Sequence, residues 1–187
     1  MTHLTVYRDH DPSFPELATR DLIVLVGHLA MTGILFERWA ASHSLPHDAG
    51  SEDVLAAYAT DVARLQAARG YKTVDVARVP RGVANAADLR AKFLDEHTHS
   101  EDEARFFVEG SGAFYLHIDR RVFRIVCETG DLLSVPAGVR HWFDMGPDPH
   151  FTAIRFFKRP DGWMAEPTGA DIAARFPGYE GPTASPR

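Results

Sequence analysis

Two histidines one residue apart, followed by a glutamate, mark the segment of this chain best equipped for chemistry: Glu96-His97-Thr98-His99-Ser100-Glu101-Asp102-Glu103. On an extended strand residues i and i+2 share a face, so His97 and His99 project together, and Glu103 has the same parity. Two imidazoles and a carboxylate form a ligand set that iron, nickel, manganese or zinc accepts. The same residues also fit a solvated acidic loop, because Glu101, Asp102 and Glu103 run together beside Thr98 and Ser100. Composition narrows the options. The 187 residues include ten histidines and a single cysteine, which excludes an internal disulfide framework and a cysteine-rich zinc or iron–sulfur site. Cys127 lies in an alternating, strand-like run and reads as a small core residue. Any metal here must be held by nitrogen and oxygen.

The elements that would position these residues change character near residue 95. Before it alanine and leucine dominate at helical spacing. Val54, Tyr58, Val62 and Leu65 recur every three or four residues, with Ser51 as a cap and Gly70 as a stop. Leu17 to Trp39 predicts one or two more helices, Tyr71 to Val79 a strand, and Asn85 to Leu94 a short helix or a turn-rich connection. From Ala104 the runs shorten to 104–109, 112–118, 121–128, 131–135, 139–144 and 150–158, divided by Gly, Pro and Thr-Gly turns. Such closely spaced strands predict an antiparallel sandwich or barrel. The expected layout is one α+β, mainly β domain over 1–187. About 1–94 would be a mostly helical layer with one strand, about 95–158 the barrel core, and 159–187 a tail.

Charge and hydropathy exclude several function classes. Twenty Lys and Arg against 26 Asp and Glu leave a net charge of −6, with a pI near 5.9. That balance argues against nucleic-acid or anionic-membrane partners, which call for a basic face. The longest apolar stretch, Leu22 to Leu35, is 14 residues long and contains His28. A membrane span needs about 20, so a buried helix is expected. The first ten residues lack the apolar run of a secretory signal, and a cytoplasmic location is expected.

A second segment completes a pattern. Gly130-Asp-Leu-Leu-Ser-Val-Pro136-Ala-Gly138-Val-Arg-His141 supplies a turn glycine, an apolar strand, a tight Pro-x-Gly turn and a histidine. Together with the 97–110 segment it resembles the two motifs of the cupin superfamily, a small antiparallel β-barrel of jelly-roll type. The resemblance implies that His97, His99, Glu103 and His141 line the barrel and hold one divalent metal ion. The chain departs from the motifs at Ala91, where glycine is usual, and at Met145, where asparagine is usual; neither position is a ligand. Four protein ligands would leave two positions open on an octahedral ion, which suits a substrate that chelates through two oxygens.

Within the cupins the chain resembles the acireductone dioxygenases of methionine salvage. Glu96-His-Thr-His, Asp102-Glu-Ala-Arg-Phe-Phe-Val-Glu-Gly110, His141-Trp-Phe-Asp, Ala153-Ile-Arg155-Phe-Phe and Gly162-Trp163 carry the likeness. So do Phe36-Glu-Arg-Trp39 and Gly70-Tyr71, and the match extends from about Leu4 to about Tyr179. It implies an enzyme that cleaves acireductone, 1,2-dihydroxy-3-keto-5-methylthiopentene, with O₂. With Fe(II) the products would be 4-methylthio-2-oxobutanoate and formate. With Ni(II) they would be 3-methylthiopropanoate, formate and carbon monoxide. Arg105, on Glu103's face, could stabilise the deprotonated substrate. Arg155, charged within an apolar strand, needs a partner or an anionic substrate. Phe93, Phe143 and Trp163 would wall in the methylthio tail. Glu96 and Asp102 flank the ligands and, by resemblance, would assist catalysis by orienting an imidazole or in metal uptake. His3, His10, His28, His43, His47, His117 and His150 read as satisfied surface or core residues. Another metal-dependent cupin enzyme, such as an isomerase or thiol dioxygenase, and a cupin binding module without activity are the alternatives. N-terminal helices that could cover the barrel edge favour a monomer.

Overall fold

The structure, a computed structural model, describes residues 1–46, 48–162 and 164–181. The chain opens on β1 (His3–Arg8), β2 (Asp11–Thr19), α1 (Leu22–Ala30) and β3 (Leu35–Arg38). It continues through α2 (Ser51–Ala57), α3 (Ala59–Arg69), β4 (Thr73–Val79) and α4 (Ala86–Leu94). The second half is almost all strand: β5 (His97–Thr98), β6 (Glu103–Ile118), β7 (Arg121–Glu128), β8 (Asp131–Val135), β9 (Arg140–Asp144), β10 (Phe151–Phe157) and β11 (Glu166–Pro167). A 3-10 turn, Ile172–Arg175, comes last. Among the described residues no helix is long and apolar enough to cross a membrane.

The N-terminal 94 residues hold four strands, where periodicity predicted one. In β1 four consecutive residues are buried, so no alternation betrays the strand. The region expected to be helical from Leu17 to Trp39 yields one nine-residue helix. Asp21 caps it by accepting from the Ile23 and Val24 amides at 2.8 and 3.3 Å, and Gly33 turns the chain out at φ 79° into β3. Only one side of α1 is covered: Leu25 and Leu29 are buried while Ile23 is 85% exposed. The helix expected after Ser51 is divided at Tyr58, whose buried ring meets Phe106 edge-on at 5.5 Å. Its start is secured not by Ser51 but by the Asp53 carboxylate, which accepts from the Gly50 amide at 2.8 Å. Gly70 ends α3 at φ 74°, as expected.

The strands form two antiparallel sheets that share β6 instead of closing into a barrel. One runs β11-β5-β9-β6-β7-β1-β2; in the other β6 lies between β8, which pairs with β3, and β10, which pairs with β4. The first half of β6 belongs to the second sheet and its latter half to the first. Against β10, Ala153 pairs with Phe107 and Thr152 with Glu109, so Val108 is an extra residue. Such a bulge reverses the parity of the residues beyond it. Glu103, Arg105 and Phe107 face the space between the sheets, and past the bulge Phe114 and Leu116 face it. Gly110 sits at the bend with φ 72°, against the His150 carbonyl, where any Cβ would collide.

The core therefore has three layers. Phe107, Phe114, Leu133 and Phe143 pack between the sheets. Outside one sheet Val54, Tyr58 and Leu65 of the helical layer cover Phe106, Leu132 and Ile154. Outside the other, Ile172, Phe176 and Tyr179 of the C-terminal segment cover Tyr115 and Trp142, which stack at 4.9 Å. With both faces of β6 buried, its sequence loses the alternation of a half-exposed strand.

Candidate metal centre

Four segments deliver four side chains to one end of the inner space. β5 carries His97, which pairs directly with His141 on β9; His99 comes just after β5, and Glu103 begins β6. The Pro136-to-Gly138 turn is tied to the first segment by the Gly138 amide, which donates to the His99 carbonyl at 2.9 Å. One ligand-type atom from each of His97, His99 and His141 lies within 4.8 Å of the others. Oε2 of Glu103 is 3.3 Å from His99 Nε2 and 3.6 Å from His141 Nε2. All four side chains are buried.

The backbone sets the tautomer of each ring. Nδ1 of His97 lies 2.8 Å from the Asp95 carbonyl, that of His99 2.9 Å from the Met164 carbonyl, and that of His141 2.8 Å from the Val139 carbonyl. A carbonyl only accepts, so each Nδ1 is the donor, and a neutral ring then carries its lone pair on Nε2. Burial, reinforced by His141, lowers His97 to about 4 and keeps it neutral at pH 7. For His99 burial acts downward too, but the nearby Glu103 carboxylate outweighs it and raises the pKa. Glu103, which burial alone would protonate, is held well below the ordinary carboxylate range by Arg105, His141 and His99.

Two atoms of this cluster lack any hydrogen-bond partner despite full burial: Glu103 Oε2 and His141 Nε2. Orphaned buried acceptors are rare because each forfeits its hydration. A divalent cation among the three Nε2 atoms and Oε2 would satisfy both, and nitrogen with carboxylate oxygen suits the first-row metals. The residues therefore fit a metal ion.

Arg105 occupies the other oxygen of Glu103: its Nε donates to Oε1 at 2.7 Å. Its guanidinium carbon lies 4.9 Å from the ring centres of both Phe114 and Phe143, a fixed cationic wall in an apolar setting. A cavity of about 340 Å³ opens beside it, lined by Lys92, Phe93, His97, His99, Glu103, Arg105, Arg155 and Ala165. Arg155 stands directly across from Arg105 on the neighbouring strand. That like-charge contact is relieved because Arg155 donates to both Asp75 oxygens, at 2.8 and 2.7 Å. Phe93 meets Phe143 edge-on at 6.4 Å.

The flanking carboxylates lie elsewhere. Asp102 pairs with Lys158 at 2.6 Å and accepts from the Ala137 amide at 3.0 Å, so it braces the Pro-x-Gly turn. Burial opposes its ionisation, but these partners prevail and lower its pKa. Glu96 is buried on the opposite side of the first sheet, 2.7 Å from His117 Nδ1. His117 is thus a satisfied core histidine, as its sequence context suggested. Trp163 and His47 lie outside the described residues. Sequence reasoning missed Phe114, Lys92, Asp75 and Ala165. Phe114 has the wrong parity relative to Glu103 unless the bulge is known, and the Gly110-x-Gly112 pair was the available sign of it.

A jelly-roll fold with a buried three-histidine, one-carboxylate cluster between its sheets defines a cupin-type, metal-binding protein. A family model described as "ARD/ARD' family" matches residues 23–165. Acireductone dioxygenase of Parvibaculum lavamentivorans is 57% identical over 180 residues, covering 96% of this chain and 98% of that protein. The enzyme of the same name from Pseudomonas paraeruginosa is 51% identical over 177 residues, 95% and 98% of the two chains. A solved structure, acireductone dioxygenase from Bacillus anthracis with a cadmium ion in its active centre, superposes with a TM-score of 0.77. It is 30% identical and covers 88% of this chain and 97% of that one. The chain belongs to the ARD/ARD' family.

Proposed function

We propose that this chain is an acireductone dioxygenase whose metal is held by His97, His99, Glu103 and His141. The observation that carries the assignment is the pair of orphaned atoms, Glu103 Oε2 and His141 Nε2, facing two further imidazoles beside a buried arginine. The reaction takes 1,2-dihydroxy-3-keto-5-methylthiopentene and O₂ to 4-methylthio-2-oxobutanoate and formate with Fe(II). With Ni(II) it yields 3-methylthiopropanoate, formate and carbon monoxide, and this donor set accepts either ion. When bound, the ion supplies Lewis acidity and a template for a chelating enediolate and O₂.

The chain's own residues prepare the substrate. The Arg105 Nε is engaged by Glu103, so its terminal nitrogens are the donors left for an enediolate oxygen, and the two phenyl faces limit their motion. Lys92 adds positive charge to the cavity wall and Arg155, paired with Asp75, adds a guanidinium, against the net charge of −6 of the whole chain. An anionic substrate is favoured there. Phe93 lines the cavity and offers apolar surface for the methylthio end, buried Phe143 backs it edge-on, and Trp163 is proposed for the same role from the sequence alone. Asp102 acts on the reaction through the Pro-x-Gly turn that it braces. The enzyme is placed in the cytoplasm.

The test is turnover. Protein reconstituted separately with Fe(II) and with Ni(II) is expected to remove the enediol chromophore in an O₂-dependent manner, with carbon monoxide from the nickel form only. A fully loaded protein that leaves the chromophore intact would overturn the reading in favour of a binding module.

A further inference from the structure

Behind the metal cluster lies a second group of polar side chains, centred on Glu96, whose carboxylate has both oxygens engaged. Glu96 precedes His97 and so points to the opposite face of the first sheet, where it is 1% exposed. Its Oε1 lies 2.7 Å from His117 Nδ1, and its Oε2 accepts from Thr168 Oγ1 at 2.7 Å. The Thr168 amide donates to the Glu96 carbonyl at 3.0 Å, and the same carbonyl lies 3.3 Å from Thr168 Oγ1. Thr168 thus grips both the main chain and the side chain of one residue.

The segment that Thr168 anchors matters to the metal cluster. Four residues earlier the Met164 carbonyl accepts from His99 Nδ1. Between them, Ala165 lines the cavity, and Glu166 and Pro167 pair with Thr98 and His97 as β11. Two short turns, Gly162 N to Arg159 O and Met164 N to Asp161 O, secure the other end. The strap is otherwise poorly attached, since Glu166 and Pro167 are exposed.

We infer that Thr168 is a positioning residue for the metal centre: its hydroxyl, clamped on Glu96, holds the 164–168 strap so that the Met164 carbonyl fixes the tautomer and angle of His99. The inference rests on the metal-centre reading above. Loss of an outer hydrogen bond that orients a ligating histidine weakens metal binding by about 10–100-fold. Thr168→Val removes the hydroxyl at nearly constant shape, and Thr168→Ser retains it.

The experiment loads the full-length chain with Co(II), whose visible spectrum reports coordination. Release to a chelator is tracked well below the unfolding temperature of each metal-free variant. Thr168→Val is expected to release Co(II) at least about ten-fold faster with an altered visible band, and Thr168→Ser to restore the wild-type rate and spectrum. Release at the wild-type rate from Thr168→Val would overturn the inference, even with a lowered unfolding temperature, because Thr168 would then be only structural. Failure of Thr168→Ser to restore the rate would overturn it too. Failure of the wild-type chain to take up Co(II) would instead refute the metal-centre reading, and the inference with it.

Discussion

Two histidine–carboxylate clusters stand back to back across one sheet, and they differ in what they leave unsatisfied. On the inner face, His97, His99, His141 and Glu103 have every Nδ1 spent on a carbonyl, yet Glu103 Oε2 and His141 Nε2 have no partner. On the outer face, both Glu96 oxygens are engaged, by His117 and Thr168. A glutamate and a histidine are buried on both sides, and Glu96 and His97 are neighbours in sequence. A buried histidine beside a buried glutamate therefore does not by itself separate a metal centre from a structural hydrogen bond; the lone pairs left over do.

That contrast breaks if both clusters respond alike to truncation. The largest effect is expected from His141→Ala. Metal content by elemental analysis should collapse and turnover fall by at least about 10³-fold, with several kcal/mol of Lewis-acid stabilisation gone. The metal-free variant should lose less stability than one altered in the outer cluster, because Glu103 keeps Arg105 as its partner, although the buried ring's bond to the Val139 carbonyl is lost. His117→Ala should do the reverse. Removing one of the two side-chain hydrogen bonds of a buried carboxylate costs about 1.5–3 kcal/mol, read by urea unfolding. Below its melting temperature the variant should still carry one equivalent of metal.

A smaller effect sharpens the outer-face half of the contrast. Asp144 lies on that face and accepts from Arg90 at 2.7 and 2.9 Å and from the Gly146 and Tyr179 amides. Burial opposes its ionisation, but these four bonds lower its pKa below the ordinary 3.8. A carboxylate depressed on folding contributes stability that is full above its unfolded pKa and is lost as pH falls through the folded value. Asp144→Asn should destabilise by about 2 kcal/mol at neutral pH. The gap from wild type should close as acid protonates the native carboxylate, which unfolding curves across pH would record.

The sequence made the inner cluster legible and the outer one nearly invisible. His97, His99 and Glu103 share parity within one short segment, and the Pro136–Gly138 turn announces His141. Glu96 and His117, by contrast, meet across 21 positions, and Thr168 is 72 from Glu96, with no local period to join them. The strands after Ala104 were readable because glycine and proline divide most of them, but Gly110 and Gly112 only bend β6, so the runs 104–109 and 112–118, expected as two strands, are one. β1 was not, because its burial on both faces erases the period-2 pattern. Arg155 was recognised as needing a partner, but Asp75 lies 80 residues away and is identified only by strand register.

The extra residue at Val108 sets the phase of everything after it on β6. Excising that residue from the gene would rotate the rest of the strand by half a turn, presenting Tyr115 to the interior and Phe114 to the C-terminal segment. The phenyl face against Arg105 would go with it, although no codon for a proposed metal ligand had been touched. Length variation among descendants of this chain is therefore expected to be purged between Phe107 and Gly112 and tolerated in an exposed connection such as residues 80–82, ahead of α4.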